Sequence, residues 1–322
     1  MRSSLGLGLL AGTTALAFGT LVVAAPVAAA TIASGQKITI VEYIDSSDPG
    51  EGQFYGVNPA DAASTPVGTA TDQVIIGLEV GDDGLGAAIG QLDSESTIWT
   101  ADANTGTVSN PQAITLGGDN VLDSCGGIDL VNGTFIISCV QPGDPGTSYV
   151  GQVNPATGDF IPFLTLTDED YIEFDALAND VVTAQLWGFA EIGGATHSFT
   201  IDLENDVVEE VALMDEDVFA ADFDRDGKLF VSTEELFGEI WLPALAVADP
   251  FTGTFASSDV YVSTTTEAAL IFVAALTIWG AEPGPALAAT GSEVAPVAIG
   301  SALLLLAGGA VVLLARRSRR TA

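Results

Sequence analysis

The chain has 322 residues, with 43 acidic and eight basic side chains, one histidine and a formal net charge of −35. Between residues 31 and 290 the imbalance is steeper, because 42 acids face only Lys37, Arg225 and Lys228, a net of −39. Such a surface repels nucleic acid and anionic lipid and favours cationic ligands; a solvated acidic coat or a saline habitat accounts for the same composition without any ligand.

Residues 1–30 contain one charge, Arg2, then an apolar stretch from Leu5 to Val23 and the small-residue run Ala24-Ala25-Pro26-Val27-Ala28-Ala29-Ala30. This pattern predicts a helical secretory signal peptide with an A-x-A site, cut after Ala30. Residues 31–280 then form the body of the protein, a length suited to one large all-β domain or two small ones.

That body repeats. Asn58-Pro59-Ala60-Asp61, Asp102-Ala103-Asn104-Thr105-Gly106, Asn154-Pro155-Ala156-Thr157-Gly158, Asp202-Leu203-Glu204-Asn205-Asp206 and Asp249-Pro250-Phe251-Thr252-Gly253 recur at intervals of 44, 52, 48 and 47 residues. Asp and Asn hydrogen-bond their own backbone and glycine takes positive φ, so each segment reads as a turn between strands. A second anchor, Leu78-Glu79, Ile128-Asp129, Phe174-Asp175 and Phe223-Asp224, is followed by a second turn and another apolar strand. Four short antiparallel strands in 40–50 residues describe a blade of a β-propeller. The predicted fold is therefore an all-β propeller of five blades; six irregular blades or a pair of β-sandwiches stay open. The strand Lys37–Tyr43 is expected to pair with a C-terminal strand and close the ring, since an open ring would leave unpaired edges. The repeats resemble those of secreted bacterial β-propellers with D-P-x-T-G and D-x-D-G-x-L-Φ-V motifs, here Asp222-Phe223-Asp224-Arg225-Asp226-Gly227-Lys228-Leu229-Phe230-Val231.

Cys125 and Cys139 are the only cysteines, and in an exported chain an isolated pair predicts a disulfide. A three-residue loop Val131-Asn132-Gly133 pairs Leu130 with Thr134 and places Cys125 opposite Cys139. A two-residue Asn-Gly turn shifts the register by one and separates them.

Asp222, Asp224 and Asp226 before Gly227 alternate as Ca²⁺ ligands do, but the twelfth position is Thr233 and no helices flank the loop, so it is not an EF-hand. The choice lies between a non-helical Ca²⁺ loop and an ordinary blade turn; Ca²⁺ is the one cofactor with any motif behind it. Glu79, Asp129, Asp175 and Asp222 occupy matching places in four units, which reads as four turn caps or as a ring of carboxylates around the propeller axis. Enzyme chemistry has little support: His197 is alone, no nucleophile elbow surrounds a serine, and abundant acids make chance carboxylate pairs common. Trp99, Trp187, Trp241 and Trp279 read as blade core rather than sugar platforms.

The C-terminus combines a linker over 281–290, Leu287-Ala288-Ala289-Thr290-Gly291, an apolar run over 294–315 long enough to cross a bilayer as a helix, and a basic tail over 316–322. This order resembles the cell-wall sorting signal of Gram-positive surface proteins, in the LAxTG variant of actinobacteria, with Ala288 where LPxTG has proline. The resemblance implies cleavage by a sortase between Thr290 and Gly291, transient membrane anchoring, and covalent attachment of Thr290 to peptidoglycan. The expected function is a wall-anchored binding or structural module whose ligand is a glycan or another surface protein. The alternatives are a carboxylate-dependent glycan hydrolase and a Ca²⁺-stabilised structural module with no separate ligand.

Overall fold

A computed structural model describes residues 32–43, 52–120, 122, 124–141, 146–167, 171–237, 240–263, 270 and 273–280. The expected signal peptide, the sorting motif Leu287–Gly291, the apolar run and the basic tail lie outside the described residues. Among the described residues there is no helix long and apolar enough to cross a membrane.

The described chain is all strand and turn. It begins with β1 (Lys37–Tyr43), β2 (Gly52–Val57) and β3 (Ala63–Thr71). The first full blade is β4 (Val74–Val80), β5 (Leu85–Leu92), β6 (Glu95–Asp102) and β7 (Thr107–Ala113), followed by the short β8 (Thr115–Leu116). The second is β9 (Ser124–Val131), β10 (Thr134–Gln141), β11 (Thr147–Val153) and β12 (Asp159–Thr167). The third is β13 (Ala176–Asp180), β14 (Gln185–Glu191), β15 (Thr196–Asp202) and β16 (Val207–Leu213). The fourth is β17 (Ala220–Phe223), β18 (Leu229–Phe237), β19 (Ile240–Ala248) and β20 (Phe255–Val260), followed by β21 (Val262–Ser263) and β22 (Val273–Trp279).

Each blade is an antiparallel sheet, and the fifth is assembled from both ends of the chain in the order β22-β1-β2-β3. The ladder runs from Lys37 opposite Trp279 to Glu42 opposite Val273. The innermost strands pack in a cycle, β22 on β4, β4 on β9, β9 on β13, β13 on β17 and β17 on β22. The protein is a five-bladed β-propeller closed by pairing its first strand with its last. β8 and β21 add parallel strands to the outer edges of β12 and β3, binding each of those blades to the one before it.

The core lies between blades. Five clusters of buried apolar side chains fill the five clefts, for example Ile136, Leu164 and Leu166 of the second blade against Phe174, Phe199 and Ile201 of the third. An inner strand is therefore covered on both faces, which explains why β22 reads Val-Ala-Ala-Leu-Thr-Ile-Trp without alternation and is buried throughout.

All five repeated Asx segments join the third and fourth strands of a blade. In each, the side-chain oxygen of Asn58, Asp102, Asn154, Asp202 or Asp249 accepts the amide two residues on, at 2.9–3.1 Å. Four residues after each Asx the chain has positive φ: Ala62, Gly106, Gly158, Asp206 and Gly253. At the three glycines the outer strand of the preceding blade crosses closely; a Cβ on Gly158 would stand 2.0 Å from the Ala113 carbonyl oxygen. Gly158→Ala is thus expected to cost about 2–3 kcal/mol, from both the left-handed backbone and the displaced carbonyl. Gly133→Ala, at φ 77° with open space around it, should lose only about 1–2 kcal/mol. Urea unfolding of the two variants checks this, and equal losses would show that the crossing is not tight.

Cys125 and Cys139 form the expected disulfide, with Cα atoms 3.9 Å apart. The route to that register differs from the expected three-residue loop. Val131 pairs with Thr134, so the connection is the two-residue turn Asn132-Gly133, with φ of 52° and 77°. Ile137 then faces Ile128 while Ser138 faces Gly126, leaving Gly127 as a bulge at φ 21°. The bulge inserts the one residue that the tighter turn removes, and the cysteines meet again.

Candidate functional site

The propeller axis has two mouths. At one, the C-terminal ends of the inner strands surround a cavity of about 330 Å³ lined by Glu79, Asp129, Asn179, Asp222 and Ile278, with Gln36, Asp82 and Arg225 at its rim. All three acids are buried, and each is bonded to a neighbouring blade or strand. Thr277 Oγ1 donates to Glu79 Oε2 at 3.1 Å, the Ile278 amide to Asp222 Oδ2 at 2.6 Å, and the Asn179 amide to Asp129 Oδ2 at 2.5 Å. The Leu130 amide donates to Asp129 Oδ1.

Burying three carboxyls together favours their protonated forms. Burial, then repulsion from Asp222 and Asp129, lifts Glu79 well above the usual carboxylate range against the bond from Thr277. Burial and the Asp129 charge do the same to Asp222. Burial takes Asp129 to about 7, against the bonds from Asn179 and Leu130. This mouth therefore holds protons near neutrality, and its groups also lace the closing strand to β4 and β17.

Three of the four acids expected in a ring thus share one cavity, and Asp175 does not. It precedes β13, and the place beside Glu79, Asp129 and Asp222 belongs to Asn179. Counting back from the positive-φ residue of the following turn finds the equivalence: Glu79, Asn179 and Asp222 each lie five residues before Gly84, Ala184 and Gly227. The aromatic-acid pair Phe174-Asp175 imitates the anchor one strand length too early.

The expected metal motif is also divided. Asp222 points to the axial cavity, whereas Asp224 is fully buried in its own turn. Asp224 Oδ1 accepts the Asp226 and Lys228 amides at 3.0 and 2.9 Å, and Oδ2 accepts the Ala33 amide at 3.1 Å. Asp226 is exposed. Among the described residues no group of three His, Cys, Asp or Glu side chains is disposed around a common metal position.

The waist between the mouths is lined mainly by apolar side chains, Leu78, Ile128, Leu177 and Leu276 among them, with Asp175 also on it, and encloses only about 10 Å³. Beyond it, at the other mouth, lies a cavity of about 260 Å³ with Phe174, Val218 and Ala274 among its apolar walls. Its polar lining is Ser124, Thr196 and four acids, Glu173, Asp175, Glu191 and Asp217. Among the described residues no lysine or arginine lines it. Thr196 Oγ1 is held by the Val218 amide at 3.2 Å and lies 3.5 Å from Asp217 Oδ1. Burial raises Asp175 to about 6, opposed by the bond from the Glu191 amide and assisted by the charges of Glu173 and Glu191. The combination is a concave site in which one carboxyl, Asp175, is raised toward neutrality beside three further acids. Sequence reading missed Glu173, Glu191 and Asp217, because they come from connections and strand ends that the repeat does not align.

His197 takes no part in either mouth. It sits on β15 with Nδ1 2.8 Å from Glu210 Oε1. Trp99, Trp187 and Trp279 are buried in the blades rather than displayed.

No protein-family model matches the chain, and no curated protein does. Among solved structures, TolB from Acinetobacter baumannii is similar over 74% of this chain at 15% identity and a TM-score of 0.43, and the chain spans about half of it, 53%. A nidogen/laminin complex chain is similar over 76% of this chain and 98% of its own, at 11% identity and a TM-score of 0.45. The Dos1 propeller is similar over 68% of this chain and 55% of its own, at 12% identity and a TM-score of 0.36. These likenesses concern the fold.

Proposed function

We propose that this protein is an exported cell-wall protein, attached through Thr290, whose propeller is a binding module for amine-bearing surface polymers. The observation that carries the reading is the cavity of Glu173, Asp175, Glu191 and Asp217, a concave acidic mouth with apolar walls and, among the described residues, no basic side chain in its lining. Pockets with apolar walls and a few convergent polar groups are the usual form of ligand sites, and four carboxyls there select for positive charge. The chain leaves the propeller after Trp279 at the opposite mouth, beside Asp222 and Ile278. A linker over 281–290 reaches about 33 Å at most, which keeps the module close to the wall.

Two oligosaccharides that differ only in charge test the site: a glucosamine oligomer and its N-acetylated counterpart. The amine form should bind saturably in calorimetry, the acetylated form should not, and Asp175→Asn with Glu191→Gln should weaken binding by about tenfold, or 1.4 kcal/mol. Equal behaviour of the two sugars would remove the amine reading. The anchoring has its own check: the protein should be released from isolated walls by a peptidoglycan hydrolase and not by detergent, and Thr290→Ala should abolish this retention. Detergent release of the unaltered protein would sink it.

A glycan hydrolase is the second reading, favoured by one detail. Burial raises Asp175 to about 6, with Glu173 and Glu191 adding to the rise, which is the direction in which a general acid is tuned. New reducing ends from either oligosaccharide, lost in Asp175→Asn, would move the assignment to an enzyme.

A further inference from the structure

The outer rim of the third blade offers an interaction surface of a different kind. Two of the five outer strands, β3 and β12, are covered by β21 and β8 and carry Pro66 and Pro162. Among the described residues β7, β16 and β20 have no strand on their outer edge; β7 carries Pro111, and β20 is the shortest of the three. β16, Val-Val-Glu-Glu-Val-Ala-Leu, has no proline, and among the described residues no strand pairs its outer edge. Its ends, Val207 and Leu213, are 41% and 56% exposed. Beside it runs a groove of about 760 Å³ in which Val207, Val208, Tyr171 and Ile192 provide apolar surface and Asp206 and Glu210 provide charge. A free edge of this type presents unpaired amides and carbonyls to another extended chain.

We propose that β16 takes a fifth strand in trans, an extended polypeptide segment with alternating basic and apolar side chains. Strand addition draws affinity from main-chain hydrogen bonds and selectivity from alternate side chains. The charge decides the occupant. Glu209 and Glu210 are exposed on the strand, Asp206 and Glu191 flank the groove, and the imidazole of His197 lies beside Glu210. A second copy of β16 would bring two such acidic strands edge to edge, and like charges directly across strands are destabilising. A strand with its basic side chains on one face turns one of these positions, Glu209 or Glu210, into an attractive pair and lays its apolar side chains on the other face.

The probe is a fluorescent seven-residue peptide alternating lysine and valine, titrated into the purified full-length protein at low salt. Saturable binding is expected, with slowed hydrogen exchange at the amides of residues 207–213 and none at the axial mouths. The exposed double change Glu209→Lys with Glu210→Lys should weaken binding by about tenfold or more, as rim charges do at low ionic strength. A glutamate-valine peptide and a lysine-valine peptide with a central proline should fail to bind. The inference is overturned by absence of saturable binding, by protection elsewhere, by equal binding of the proline peptide or of the double variant, or by protection of β16 that depends on protein concentration alone, which would make a second copy the occupant.

Discussion

Trp279→Ala is expected to destabilise the propeller by about 3–5 kcal/mol, the range for deleting a large aromatic from a packed core. Trp279 ends the closing strand and is 5% exposed. Its Nε1 donates to Thr39 Oγ1 at 2.8 Å, and Lys37 Nζ lies 4.3 Å from the ring centroid, so it fastens β22 to β1. The same ring packs on the first blade, where a Cβ on Gly84 would approach it to 2.6 Å. One side chain therefore holds the closure in two directions. Trp279→Phe keeps much of the volume and leaves the Thr39 hydroxyl without its donor, and should cost about 1–3 kcal/mol. Leu85→Ala, at a residue 52% exposed, should change stability by less than about 0.5 kcal/mol. Denaturant unfolding at fixed pH measures all three. A loss below about 1 kcal/mol in Trp279→Ala would mean that the backbone ladder alone closes the ring.

Stability is expected to fall as pH rises from 5 to 8, opposite to the usual behaviour of a protein rich in ion-paired carboxylates. Glu79, Asp129 and Asp222 have folded-state acidities raised above their unfolded values, so the folded protein binds more protons than the unfolded chain in this window. Where the folded state holds the extra protons, stability declines with pH, and it levels off above the folded pKa. Asp129 alone, raised from 3.8 to about 7, contributes about 4 kcal/mol between those limits at 1.36 kcal/mol per unit. Asp175, raised to about 6, acts in the same direction. Glu79→Gln keeps an oxygen for Thr277 to donate to and removes the charge from the shared cavity; it should raise stability at pH 8 and flatten the slope. Asp129→Asn is a poorer replacement, since two backbone amides donate to that carboxylate and an amide side chain offers them one acceptor. Unfolding midpoints at pH 5, 6, 7 and 8 decide the matter, and a flat or rising profile would contradict buried, mutually repelling acids at the mouth.

Much of the architecture was legible in the order of residues because it is set by local chemistry. Asn58, Asp102, Asn154, Asp202 and Asp249 each cap a turn through a side chain that bonds its own backbone two residues on, so their spacing counts the blades. The pairing of Lys37–Tyr43 with the last strand follows from the need of a ring to have no open edge. The cysteine pair was foreseen correctly for a partly wrong reason, because the bulge at Gly127 that restores the register depends on the close approach of Ala176 and Leu177 from the third blade.

The candidate sites were less legible because they are made between repeats. Phe174-Asp175 looks like Ile128-Asp129 in one dimension, yet Asp175 lines the mouth opposite to Asp129. Glu173, Glu191 and Asp217 converge only when strand ends and connections of the third and fourth blades are brought to one axis. The sequence by itself determined the all-β class, the five-fold repeat and the acidic surface, since turn chemistry, spacing and charge act over a few residues. The tertiary structure alone decided which carboxyls share a cavity, because burial and mutual repulsion depend on distances around the ring that no local pattern encodes.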